Sequence, residues 1–134
     1  GEGNIIVFNN GANRSGSHYS SVDEIVPPVN DDGEYYLESA SAYGPEAQIW
    51  IYTANPPTSF YASHLSGAQR LTSGNTLICN GETGKIFEVT PEGTTVWQYV
   101  SPFNELFKVV YIPPRRTTGT GGPRFRLFWK SFLD

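Results

Sequence analysis

The sequence predicts an all-β chain built of antiparallel meander sheets. Three observations carry that expectation. No stretch of about ten residues keeps apolar spacing of three and four without a Gly, Pro or β-branched interruption, so helix signals are nearly absent. Short apolar-rich runs of about four to six residues recur along the chain. Ten prolines and fourteen glycines in 134 residues fall largely between those runs, where they turn the backbone.

The first run is Asn4-Ile5-Ile6-Val7-Phe8, closed by the turn cluster Asn9-Asn10-Gly11. Ser21 to Val26 forms the second and stops at Pro27-Pro28. Glu34-Tyr35-Tyr36-Leu37-Glu38 is a weaker third. Ala47 to Tyr52 is a fourth with apolar residues on both faces, followed by Pro56-Pro57. His64 to Leu71 alternates loosely and turns at Thr72-Ser73-Gly74-Asn75. Thr76-Leu77-Ile78-Cys79 reads as a buried strand, with Cys79 an inert core residue. Asn80 to Gly84 turns again, Lys85 to Val89 is a strand, Thr90-Pro91-Glu92-Gly93 a turn, and Thr95 to Tyr99 another strand.

An internal repeat organises these runs. Gly3-Asn4-Ile5-Ile6-Val7 matches Gly74-Asn75-Thr76-Leu77-Ile78, and Asp23-Glu24-Ile25-Val26-Pro27 matches Phe87-Glu88-Val89-Thr90-Pro91. Ile49-Trp50-Ile51-Tyr52 matches Val96-Trp97-Gln98-Tyr99. The order is kept while the connecting loops shrink. Turn grammar alone yields Gly-Asn and Pro-Glu-Gly, but not Trp-x-Tyr at the same point of both units. A compact unit of this size fits a propeller blade, which must stack on neighbours to bury its faces. The expectation is about two to three blades, part of a β-propeller, in residues 1–107. Propellers need four or more blades to close, so a fragment, a self-assembling chain or an open stack is expected.

Composition narrows the classes. The single cysteine excludes an intramolecular disulfide framework and a Cys-type zinc site. No metal and no cofactor are expected. No apolar run nears the roughly 18 residues of a membrane span, and no signal peptide opens the sequence. The absence of Met, with Gly1 first, reads as a processed or truncated product. Charge is lopsided. Residues 1–107 set Arg14, Arg70 and Lys85 against twelve carboxylates, whereas 108–134 hold six cations against Asp134. The basic segment is Pro/Gly-rich around Pro113-Pro114-Arg115-Arg116 and ends in Phe125-Arg126-Leu127-Phe128-Trp129-Lys130. It reads as an anionic-surface or nucleic-acid arm, as a foreign terminus, or as a connector and one extra strand with Phe125, Leu127 and Trp129 buried; the strand is favoured over nucleic acid.

Ser66-Gly67-Ala68-Gln69-Arg70-Leu71, Ser73 to Ile78, Gly84 to Gly93 and Val96-Trp97-Gln98-Tyr99 resemble the arylsulfotransferase-like branch of the β-propeller proteins. Gly3 to Gly11 with Arg14, then Tyr19 to Ile25, is similar to that family's strand, Asn-Gly turn and following strand. The resemblance covers about residues 3–103. It implies a six-bladed propeller in a longer chain, typically exported. It also implies sulfate transfer from an aryl sulfate to another phenol, without a nucleotide donor, through a sulfated histidine. By that resemblance Arg14 stands where the family places its sulfate-contacting arginine, and His64 near the transferred-sulfate histidine. The sequence departs from the pattern: the family's other histidines are absent, Asn9 stands where Asp is common, and nothing beyond Phe103 matches. Catalysis by this chain alone is therefore not expected.

A sulfuryl-transfer site needs a nucleophile and cations that offset charge on the equatorial oxygens. Arg14 and His64 are the candidate catalytic pair, with Arg14, His18 and Tyr19 as substrate-binding candidates. Each has a plainer role: His18 a solvated loop residue, His64 a strand-edge residue, Arg14 a partner to a carboxylate. Arg70 is expected to pair with an acid, Glu24 and Glu88 to hold neighbouring turns, and Trp50 and Trp97 to pack between sheets. Asp31-Asp32-Gly33-Glu34 lacks the ligand spacing of a calcium loop. The alternative to an enzyme is a non-catalytic binding or scaffold module, self-associating through its sheet edges.

Overall fold

Residues of high strand preference alternate between two faces and pair into three antiparallel sheets, as described by a computed structural model over residues 3–35, 37 and 39–102 and the backbone of 106–112 and 124–129. The first sheet is β1 (Ile5–Asn9), β2 (Ser21–Ile25) and β3 (Trp50–Tyr52), in that order. A short 3-10 turn, Pro57–Ser59, follows. The second sheet is the meander β4 (Ser66–Arg70), β5 (Thr76–Asn80), β6 (Lys85–Val89) and β7 (Thr95–Val100). β8 (Leu106–Ile112) and β9 (Arg124–Trp129) make a hairpin. Among the described residues no helix is long and apolar enough to cross a membrane.

The sequence repeat is kept in register. In the first sheet Ile6 pairs with Glu24 and Glu24 with Trp50; in the second Leu77 pairs with Glu88 and Glu88 with Trp97. β1-β2-β3 thus corresponds to β5-β6-β7, and β4 has no counterpart in the first sheet. Gly3 and Gly74 open the matched strands with φ of 89° and 90°, a region that glycine enters without strain. Asn4 Nδ2 donates to Glu24 Oε1 at 2.9 Å, and Asn75 Nδ2 to Glu88 Oε1 at 2.7 Å. Those two carboxylates hold the residue before the neighbouring strand, the structural task the repeat predicts for them.

The first two sheets face each other across one core. Val22 and Tyr52 on one side meet Ile78, Phe87 and Val89 on the other, with Phe60 between them. The Phe60 ring sits edge-on to Phe8, Tyr52 and Phe87 at centroid distances of 5.6, 5.7 and 5.5 Å. Burying these rings removes apolar surface from water, and the edge-to-face contacts suit their quadrupoles. Polar contacts then fix the angle between sheets. Arg70 reaches Glu24, its guanidinium lies 4.4 Å from the Trp50 ring, and Trp50 Nε1 donates to the Pro91 carbonyl at 2.7 Å. Asn4 above all, then Arg70, hold the Glu24 carboxyl below its usual range against the opposing effect of burial.

A second cluster, Leu77, Cys79 and Ile86, occupies the opposite face of the second sheet, where β8 runs beside β4 and β5. β1 likewise runs beside β4. Three expectations change in detail. The run from Ala47 shortens to Trp50–Tyr52. The expected strand at Glu34–Glu38 is reduced to a single bridge, Val29 to Tyr35, with Tyr36 and Glu38 outside the described residues. The basic segment holds the favoured strand, β9, but its partner β8 was not foreseen, and it spans the point where the charge changes sign. Burial of Phe125, Leu127 and Trp129 lies outside the described residues.

Candidate functional site

The segment from Phe60 to His64 crosses between the hairpin ends of the two sheets and is tied to both. On the first sheet, Asn10 Nδ2 donates to the Ala62 carbonyl at 2.8 Å, Ser20 N to the Phe60 carbonyl at 2.8 Å, and Ala62 N to Ser20 Oγ at 2.9 Å. On the second, Asn80 Nδ2 donates to the Tyr61 carbonyl at 3.0 Å and Ser63 N to Glu82 Oε2 at 2.6 Å. Asn9 and Asn80 are matched repeat positions at which both β-strands end. The crossing segment is therefore held from both sides, by Asn10 and Ser20 on one and by Asn80 and Glu82 on the other.

Arg14 lies in the long β1–β2 loop. Its Nε donates to the Tyr19 carbonyl at 3.1 Å and one terminal nitrogen to Ser21 Oγ at 2.8 Å. Among the described residues the other terminal nitrogen meets only the Tyr19 hydroxyl, at 3.4 Å, and the guanidinium lies 4.3 Å from the Tyr19 ring centroid. Ser21 Oγ donates to Asp23 Oδ2 at 3.2 Å, so Arg14 reaches a carboxylate through one hydroxyl. Gly11, at φ 72°, leaves the space that Arg14 Nε and the Tyr19 carbonyl fill. Arg14 and Ser63 both line a cavity of about 610 Å³.

His64 follows Ser63 and is not among the residues lining that cavity; its side chain is 54% exposed. Its Nδ1 lies 2.7 Å from Ser63 Oγ and 3.8 Å from Glu82 Oε2, while Ser63 Oγ lies 3.0 Å from the same carboxylate oxygen. An ionised carboxylate only accepts, so Ser63 Oγ is the donor in its bond to Glu82. With the hydroxyl proton directed at Glu82, Ser63 Oγ is free to accept from Nδ1–H, the tautomer in which the His64 lone pair lies on Nε2.

No family model, no curated protein and no solved structure matches this chain. The site rests on its own geometry.

Of the expected residues, Arg14 and Tyr19 are in direct contact, and Ser63 connects Arg14's cavity to His64. His18 is placed elsewhere, its ring 5.7 Å from that of Tyr61, and among the described residues no hydrogen bond or ion pair joins it to Arg14 or His64. Ser63 and Glu82 were not anticipated. Ser63 adjoins His64 in sequence, but nothing in a single sequence brings the β5–β6 turn to it. A further cavity of about 800 Å³, between β3 and β6–β7, is lined by Tyr52, Phe60, Phe87 and Lys85. Burial pushes the Tyr52 phenol above its ordinary pKa, partly offset by Thr95. Among the described residues no cluster of three or more His, Cys, Asp or Glu is placed to hold a metal ion.

Proposed function

We propose that this chain carries part of a histidine-mediated sulfuryl-transfer site of the aryl-sulfotransferase type, set on sheets stacked as consecutive propeller blades. The observation that carries the reading is the Glu82–Ser63–His64 relay beside the cavity lined by Arg14. The relay leaves Nε2 as the nucleophilic nitrogen. In the first half-reaction Nε2 forms an N–S bond to the sulfur of an aryl sulfate, the S–O(aryl) bond breaks, and the phenolate leaves with the bonding pair. In the second, a phenol attacks sulfur, loses its proton to solvent, and the N–S bond breaks. The loosely held end of the Arg14 fork faces the charge that spreads over the sulfuryl oxygens. The matched registers of the two sheets, and the run of β1, β4 and β8 side by side, support the blade arrangement.

Transfer from an aryl sulfate to an acceptor phenol, followed by product formation, tests this reading. His64→Ala is expected to abolish transfer while the circular dichroism spectrum stays unchanged; full activity in that variant removes His64 from the mechanism. A second reading, a binding or scaffold module without catalysis, is favoured by the engagement of Arg14 within its own hairpin. Folded wild-type protein with no transfer at any donor concentration selects it.

A further inference from the structure

The two facing sheets differ in size, and the difference leaves a groove. The first sheet ends at β3, which pairs only with β2, whereas the second continues past β6 to β7. Tyr52 of β3 lies against Phe87 of β6, and the cavity of about 800 Å³ opens beyond that contact. Ile51 and Thr53 line one side, Thr95 and Val100 the other. β6 runs beneath it from Lys85 towards the turn at Glu92 and Gly93, and Lys85 to Val89 alone spans about 13 Å. Val100 is 60% exposed, so the floor on the β7 side is uncovered.

The wall formed by β3 is a free main-chain edge. Ile49 N donates to the Glu24 carbonyl at 2.8 Å beside the Glu24–Trp50 pair, the pattern of a β-bulge in which two successive amides aim at one carbonyl. Glu24–Trp50 and Val22–Tyr52 are therefore the hydrogen-bonded pairs, and the amide and carbonyl of Ile51 point away from β2. The matched strand agrees. Ser101 N donates to the Gly84 carbonyl at 2.9 Å, which by alternation makes Glu88–Trp97 a hydrogen-bonded pair as well. Thr53 follows in the same phase as Ile51. The ends of the groove carry opposite charge. Lys85 Nζ lies 5.1 Å from the Phe87 ring centroid and forms no ion pair among the described residues. Glu92 stands at the other end, its carboxyl held below its ordinary range by a hydrogen bond from Thr90.

We propose that this groove docks an extended peptide of another protein, which adds a strand antiparallel to β3 and sets an acidic side chain near its amino end against Lys85 and a basic one four residues on against Glu92. Main-chain groups along a free edge supply affinity to a strand, and the side-chain surroundings of alternate positions select its sequence. Every strand pairing among the described residues is antiparallel, and an added strand keeps that pattern. β3 leaves the Pro91 end, where the Trp50 indole donates, and heads for the Lys85 end, so its antiparallel partner starts at Lys85. The first, third and fifth peptide residues then lie opposite Ala54, Tyr52 and Trp50 and face the second sheet, while the second and fourth bond to Thr53 and Ile51. Five residues span about 13 Å, the reach from Lys85 along β6. The inference uses no residue of the His64 relay and stands whether or not sulfuryl transfer occurs.

The probe is the capped pentapeptide acetyl-ETVTK-amide, titrated into ¹⁵N-labelled protein and followed by NMR. Saturable shifts are expected below about 1 mM peptide, largest at the amides of Ile51, Thr53 and Lys85. The same peptide N-methylated at both threonines lacks the two main-chain donors aimed at β3 and is expected not to bind. The reversed peptide acetyl-KTVTE-amide is expected to bind about tenfold more weakly, and Lys85→Gln to weaken acetyl-ETVTK-amide about threefold. No saturable shift up to that concentration, shifts remote from the groove, equal binding by the N-methylated or reversed peptide, or an unchanged affinity in Lys85→Gln overturns the proposal. Shifts at Ile51 and Thr53 on concentrating the protein alone make the occupant a second copy and overturn it as well. Glu92→Gln, with the same expected weakening, replaces Lys85→Gln if the latter unfolds.

Discussion

Arg70 of β4 reaches out of its own sheet to the carboxylate of Glu24 on β2. The same carboxylate accepts from Asn4, and the same guanidinium covers the Trp50 ring, so one pair joins two sheets and a core aromatic. Removing one partner of a largely sheltered, charge-assisted bond leaves the other poorly solvated. Arg70→Ala is expected to lower unfolding stability by about 2 kcal/mol, read by denaturant titration. The pH dependence has a definite sign. The Glu24 carboxyl is held below its ordinary value of 4.5 in the fold, so its contribution is fully present above pH 4.5. That contribution fades as pH falls through the lowered native value. Glu24→Gln should flatten the acid limb of the stability profile, and an unchanged acid limb would remove this pair from it.

Phe60 touches both sheets, through Tyr52 and Phe8 on one side and Phe87 on the other. Its chain segment belongs to neither sheet, so no backbone ladder compensates for the loss of the side chain. Phe60→Ala is expected to cost about 3–5 kcal/mol and to lower cooperativity, because the cavity opens at the joint itself. A loss below about 1 kcal/mol by denaturant titration would show that the segment repacks without the ring.

Two glycines with positive φ separate strain from steric conflict. At Gly74 a methyl group would meet nothing, so Gly74→Ala carries only the left-handed backbone penalty, about 1 kcal/mol. At Gly11 the methyl would run into the Tyr19 carbonyl and Arg14 Nε. Gly11→Ala is expected to cost at least twice as much and to displace Arg14 from Tyr19. Thermal unfolding gives the first comparison, and the environment of the Tyr19 ring by NMR gives the second. Equal losses at both positions would mean that the Arg14 packing contributes nothing.

Much of this architecture was legible because the repeat is written twice. Gly-Asn before β1 and β5, Glu at the centre of β2 and β6, and Trp-x-Tyr on β3 and β7 point to one unit, and their registers agree in space. The role of Arg70 was legible as well, since a strand arginine needs an acid. β8 was not, because its apolar run crosses the boundary where the charge reverses, and the charge shift obscured the strand. The contact of Glu82 with Ser63 was invisible for another reason. It depends on a crossing segment without strand periodicity, fixed only by bonds from Asn10, Ser20 and Asn80.

The relay around His64 supplies the last prediction. Ser63 Oγ can accept from Nδ1–H only while Glu82 takes the hydroxyl proton, so both residues hold His64 with its lone pair on Nε2. They act through the imidazole and do not meet the reacting sulfur. Glu82→Gln places an amide next to Ser63 and allows the hydroxyl to donate to Nδ1, which moves the imidazole proton to Nε2. The ¹⁵N shifts of His64 are expected to change from an Nδ1–H to an Nε2–H pattern in that variant, with or without catalysis. Where transfer is measurable, kcat should fall about a hundredfold while KM holds, the loss a misdirected nucleophile produces. A tautomer unchanged in both Ser63→Ala and Glu82→Gln would detach the relay from His64 and leave the imidazole as an ordinary rim residue.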